Sequence, residues 1–90
     1  MDIPKEIRGF FENESILKQL PSKFSKKLLV IDFLAEKFEA GREYTGQEID
    51  EILNQHHSFN DPATLRRELI MNKILDRTPD GRTYWKIEKK

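Results

Sequence analysis

Apolar residues recur along this chain first at a helical and then at a strand-like period, and the change divides it into helices followed by two extended runs. In FSKKLLVIDFLAEKF, Phe24, Leu28, Ile31, Ala35 and Phe38 alternate at intervals of four and three, which sets them on one helical stripe. Leu29, Val30, Phe33 and Leu34 widen that stripe, so the spacing predicts a helix buried on two sides. A shorter amphipathic stretch precedes it: Ile3, Ile7, Phe10 and Phe11 share a face, with Asp2 at a capping position and Pro4 near the first turn. A polar break from Glu12 to Ser15 and then Pro21 separate the two, and the shorter helix is the natural cover for the second side of the longer one.

Gly41 stops the long helix, and YTGQEIDEIL starts another with complete capping chemistry. Thr45 can accept from the Glu48 amide while Glu48 reaches back to Thr45, and Tyr44 and Ile49 suit a hydrophobic staple around this capping box. Ile49, Ile52, Leu53 and His56 then line one face. Asp61-Pro62 repeats the signal, a cap followed by proline at the first helical position, and ATLRRELIMN continues as a third core helix ending near Asn72. Ile74 to Thr78 and Thr83 to Glu88 read as strands, Trp85 and Ile87 sharing one side of the second, and Pro79 and Gly81 suit a type I bend between them.

Three helices followed by a hairpin predict an α+β, mainly helical fold: a winged-helix-like three-helix core with a C-terminal β-hairpin and an extra N-terminal helix. Residues 1–20 are expected to form the helical extension packing on the core, and residues 21–90 the winged-helix-like domain. The six residues from His56 to Asp61 exceed the three- or four-residue turn of a strict helix-turn-helix, so a relaxed variant fits better.

Composition changes this picture in two ways. The chain of 90 residues has no cysteine, which excludes disulfides, thiolate metal sites and cysteine nucleophiles, and it has no apolar run long enough for a membrane span or signal segment; a soluble, cytoplasmic protein is expected. Sixteen basic and sixteen acidic residues cancel, yet unevenly. Residues 1–61 hold 8 Lys/Arg against 12 Asp/Glu, a net of −4, and residues 62–90 hold 8 against 4, a net of +4. An anionic partner would meet the C-terminal third.

The runs KKLLVIDFLAEKFEAGREYTGQEIDEIL and ATLRRELIMNKILDRTPDGRTYW resemble a bacterial family known as domain of unknown function 2087, often attached to winged-helix regulators of the arsenical-resistance repressor type. The resemblance spans residues 25–86 and implies a regulatory setting, with no catalytic residues to carry over. Two departures stand out: Lys73 occupies a position where the pattern tends to place glycine, and the connection before Asp61 is extended by a residue or two.

Candidate chemistry follows from these placements. Arg66 and Arg67 have no acidic residue three or four positions away in their own helix. With Leu65 and Leu69 inward, Arg67 projects away from the core; Arg66 lies near the boundary and could instead pair with Asp32, Glu36 or Asp50. Lys73, Arg77 and Arg82 add cations before and beside the hairpin turn, so a DNA-binding surface built from Arg66, Arg67, Lys73, Arg77 and Arg82 is one reading. Lysines also protect exposed strand edges, which is the simpler role for Lys89 and Lys90. The other reading is contact with another protein or a second copy of the chain, through Ile70 and Met71 or through the Phe10 and Phe11 stripe. Ile70 could alternatively turn to the hairpin and pack on Trp85, a lone tryptophan expected in the core. His56 and His57 diverge by about 100° on a helix and lack metal-ligand spacing, so no metal or other cofactor is expected. The four glycines form no phosphate-cradling loop, no serine sits in a nucleophile elbow, and no enzymatic activity is expected.

Overall fold

The computed structural model describes residues 3–13 and 15–87. Asp2, Glu88, Lys89 and Lys90, the predicted cap, strand end and edge lysines, lie outside the described residues. The fold is α+β, mainly helical. A short 3₁₀ helix spans Lys5–Phe10, and three α-helices follow: α1 (Phe24–Ala35), α2 (Gly46–Asn54) and α3 (Pro62–Met71). Three short strands, β1 (Glu43–Tyr44), β2 (Leu75–Arg77) and β3 (Tyr84–Lys86), form an antiparallel sheet in the order β1-β3-β2. The hairpin is therefore tied back to the connection between α1 and α2, the winged-helix-like arrangement expected from the order of elements.

Burial of α1 begins only at Val30; Val30, Ile31, Phe33, Leu34 and Ala35 are all buried, and Asp32 is the one exposed side chain among them. Apolar residues around most of a helix need cover on two sides. One side is supplied by the N-terminal segment, where Ile7 is fully buried and Phe11 stacks edge-on against Phe33 at 5.2 Å between ring centres. Phe24, expected to head the buried stripe, is instead 66% exposed, because the core reaches α1 only beyond its first turn and a half. Phe38 lies past the helix end but stays buried, edge-on to Tyr44 at 5.7 Å. The Tyr44 hydroxyl accepts from the Glu39 amide at 2.7 Å, so one aromatic residue pins the α1–β1 connection while pairing with Tyr84 in the sheet.

The α2 cap forms as its spacing predicts: the Glu48 amide donates to Thr45 Oγ1 at 3.1 Å and the Thr45 amide donates to Glu48 Oε1 at 2.8 Å. Both members of the expected staple, Tyr44 and Ile49, are buried. Asp61 caps α3 by accepting from the Thr64 amide at 3.2 Å and its hydroxyl at 2.7 Å. These bonds hold the Asp61 carboxyl below its usual range, with smaller help from the Arg67 charge.

The C-terminus of α3 closes in a Schellman motif. The Ile74 amide donates to the Leu69 carbonyl at 2.9 Å and the Lys73 amide to the Ile70 carbonyl at 3.1 Å. Lys73 is the residue in the left-handed conformation, with φ +63. Steric crowding of Cβ makes glycine the favoured residue there, which gives a physical reason for the glycine that Lys73 replaces. In the hairpin turn the Gly81 amide donates to the Thr78 carbonyl at 2.9 Å, and Gly81 supplies the φ of +72 that follows a type I bend.

Candidate nucleic-acid interface

The α2–α3 connection sets the pose of α3, and His57 organises it. Its Nε2 accepts from the Asp61 amide at 2.8 Å, so Nδ1 carries the proton and donates to the Leu53 carbonyl at 2.7 Å. With the ring buried and edge-on to Phe59 at 4.7 Å, both nitrogens serve the backbone. The N-terminal segment braces the same connection from outside: the Leu17 amide donates to the His56 carbonyl at 2.8 Å and the Ser58 amide to the Leu17 carbonyl at 2.9 Å. Asn60, at φ +53, completes the bend, a conformation that asparagine tolerates better than most residues. Among the described residues no group of three or more His, Asp or Glu is placed to hold a metal ion.

With Leu65 and Leu69 fully buried, the opposite face of α3 looks outward across a groove of about 470 Å³ toward the hairpin. The helix contributes Arg66, Arg67, Ile70 and Met71, with Ala63 and Thr64 at its start; Arg77 of β2 and Tyr84 of β3 form the facing wall. Arg77 and Tyr84 are directly paired across the two strands, which places both side chains on the same face of the sheet. Among the described residues, no carboxylate lines the groove.

The arginines differ in what holds them. Arg66 bonds through its guanidinium to Asp50 on α2, one of the three acids the sequence offered, so its charge is compensated within the fold. Glu68, one residue beyond Arg67, turns to Lys27 of α1 at 3.9 Å. Among the described residues, Arg67 and Arg77 have no carboxylate within ion-pair distance, and both are exposed. Lys73 is exposed but sits at the helix cap without lining the groove. Arg82 stands at the tip, 87% exposed and 3.7 Å from Asp80. Asp80 is itself committed to the turn: the Thr78 hydroxyl and then the Arg82 amide hold its carboxyl below the usual range.

The apolar candidates also separate. Met71 is 64% exposed and Ile70 half-buried, both in the groove. Phe11 is not on an interaction face: it is consumed by the core against Phe33, and Phe10 is half-buried with the Lys26 ammonium 5.9 Å from its ring centre. Trp85 is half-buried instead of being the core aromatic of the hairpin; that position belongs to Tyr84. Strand alternation turns Trp85 to the other face, in register with Glu43 and Asp76, so Ile70 meets Tyr84 across the groove and not Trp85. The contribution of Tyr84 is not legible in the sequence, because the inner face of β3 is set by its pairing with both β1 and β2. β1 is only two residues long, so periodicity carries no signal for it.

The fold and its cationic groove define a small winged-helix-like domain whose third helix and hairpin share one outward surface. The chain belongs to the family described as uncharacterized protein conserved in bacteria (DUF2087), whose model matches residues 16–86. The match takes in α1 to β3 and the Leu17 strap, and leaves out the 3₁₀ helix. No match was found among curated proteins or among solved structures. No helix among the described residues is long and apolar enough to cross a membrane.

Proposed function

We propose that this chain is a non-catalytic, cytoplasmic module of bacterial gene regulation that binds duplex DNA weakly through the outer face of α3 and the hairpin wing. The observation that carries this reading is the convergence of Arg67 and Arg77, from different elements, on one groove that no carboxylate among the described residues lines. A neutral chain gains nothing from net charge in approaching DNA, so attraction has to come from a local surface, and the +4 balance of residues 62–90 concentrates it there. Arg66, compensated by Asp50, contributes shape more than charge.

Titration of the chain with mixed-sequence duplex tests the reading. If Arg67, Lys73, Arg77 and Arg82 each meet a phosphate, affinity falls about a hundredfold between 50 and 200 mM salt. Arg67→Ala and Arg77→Ala each weaken binding across all sequences. Absence of binding at millimolar duplex in low salt overturns it.

A second reading, contact with another protein or a second copy, is favoured by one observation, the 64% exposure of Met71 beside Ile70. Its Phe10 and Phe11 arm loses ground because Phe11 is buried. Sedimentation separates the two: a monomer at every concentration, unchanged in Met71→Glu, leaves self-association without support.

A further inference from the structure

Resting on the DNA-binding reading, we propose that the groove prefers thymine-containing duplex DNA, with thymine methyl groups lodging against Met71 and Ile70 while Arg67 and Arg77 hold the flanking phosphates. Met71 is one of two large apolar side chains left exposed among the described residues, and it lies inside the groove rather than on an isolated surface. A methionine on a solvated helix face contributes nothing to the core. Flanked by two guanidiniums without carboxylate partners among the described residues, it suits an occupant that is anionic at its edges and apolar at a point. Duplex DNA has that character in its major groove, where the C5-methyl of thymine is the one apolar group presented beside hydrogen-bonding base edges.

The spacing agrees. Arg67 and Met71 are four residues apart on one helix face, about 6 Å along the axis, close to two base steps of about 3.4 Å. A guanidinium on one phosphate or base edge therefore sets the Met71 thioether within a step or two of it. Methionine suits such a contact because its unbranched, polarisable chain adapts to irregular apolar surfaces. RNA is disfavoured on both counts, since uracil lacks the methyl and the A-form major groove is too narrow for a helix.

The test measures anisotropy of the full chain against alternating dA-dT, dA-dU and dG-dC duplexes at 50 mM salt. The expected result is tightest binding to dA-dT, with dA-dU weaker by about fourfold for each methyl contacted, the factor that burying one methyl carries. Met71→Ala, at an exposed position, should narrow the dA-dT to dA-dU gap and leave the slope of affinity against salt unchanged; circular dichroism verifies that the variant is folded. Comparing variant with parent on both polymers separates the methyl contact from any change in duplex shape. Equal wild-type affinity for dA-dT and dA-dU, or a full gap retained in Met71→Ala, overturns the thymine preference while salt-dependent binding leaves the DNA reading standing. No binding to any duplex overturns both, and a Met71-dependent self-association in its place assigns the surface to protein contact.

Discussion

Lys73→Gly should make this protein more stable although it deletes a charged side chain and adds no contact. In the Schellman motif Lys73 holds φ +63, a conformation that costs an L-residue about 1–2 kcal/mol because Cβ crowds the following carbonyl. Glycine removes that cost but loses more backbone entropy on folding, which returns about 0.5–1 kcal/mol. The net gain is about 0.5–1 kcal/mol. For a domain of this size each kcal/mol moves the thermal midpoint by about 4–8 °C, so a rise of about 2–8 °C is expected. Thermal and urea unfolding by far-ultraviolet circular dichroism at pH 7 read it directly. Lys73→Ala is the control: it deletes the ammonium and keeps both Cβ and the left-handed backbone, so it should show no gain. If Lys73→Gly is no more stable than Lys73→Ala, strain at this cap is not what the glycine would relieve. Charge is read separately, because both variants should lower the salt slope of DNA binding by about 0.9 if Lys73 meets a phosphate.

Further expectations concern the two connections that set the groove and one half-buried histidine, His56. Thr45→Ala removes the side-chain half of the α2 capping box and should cost about 1 kcal/mol, measured by urea unfolding; an unchanged midpoint would mean that α2 does not depend on its cap. His57→Phe keeps a ring beside Phe59 but leaves the Asp61 amide without its acceptor, a loss of about 2 kcal/mol, and it should broaden the amide resonances of the α2–α3 connection before those of α1. Burial holds the His56 imidazole below its ordinary range, Lys37 adds to the effect and a backbone contact from Ser15 opposes it. Because the folded value lies below the unfolded one, that stabilisation is present above about pH 6.5 and is lost as pH falls through the folded value. His56→Phe should flatten stability between pH 7.5 and about 5, and an unaltered slope would exclude His56 as its source. Glu48, Asp61 and Asp80, all lowered from ordinary values of 4.5, 3.8 and 3.8, lose their contributions only at more acidic pH, so the two regimes separate.

Local chemistry was legible wherever neighbours in the chain decide the structure. The Thr45–Glu48 box, the Asp61-Pro62 helix start and the Pro79–Gly81 bend each depend on groups within three residues of one another, and all three form at the expected places. The order of helices and hairpin likewise followed from periodicity, and with it the winged-helix-like class. Arg67 could be aimed outward from the two leucines beside it, because one helix turn relates them rigidly.

What sequence could not decide were questions of partnership across the fold. Arg66 had three candidate acids at helical distances too long for spacing to rank, and only the packing of α2 on α3 selects Asp50. The two-residue strand β1 is too short to show a period, yet its pairing with β3 determines that Tyr84 faces the groove and Trp85 faces away. Phe11 and Met71 are both apolar residues near a helix end, and composition treats them alike. Tertiary structure gives Phe11 a ring to pack on and leaves Met71 without one, because exposure is a property of what the rest of the chain brings alongside and not of the residue itself.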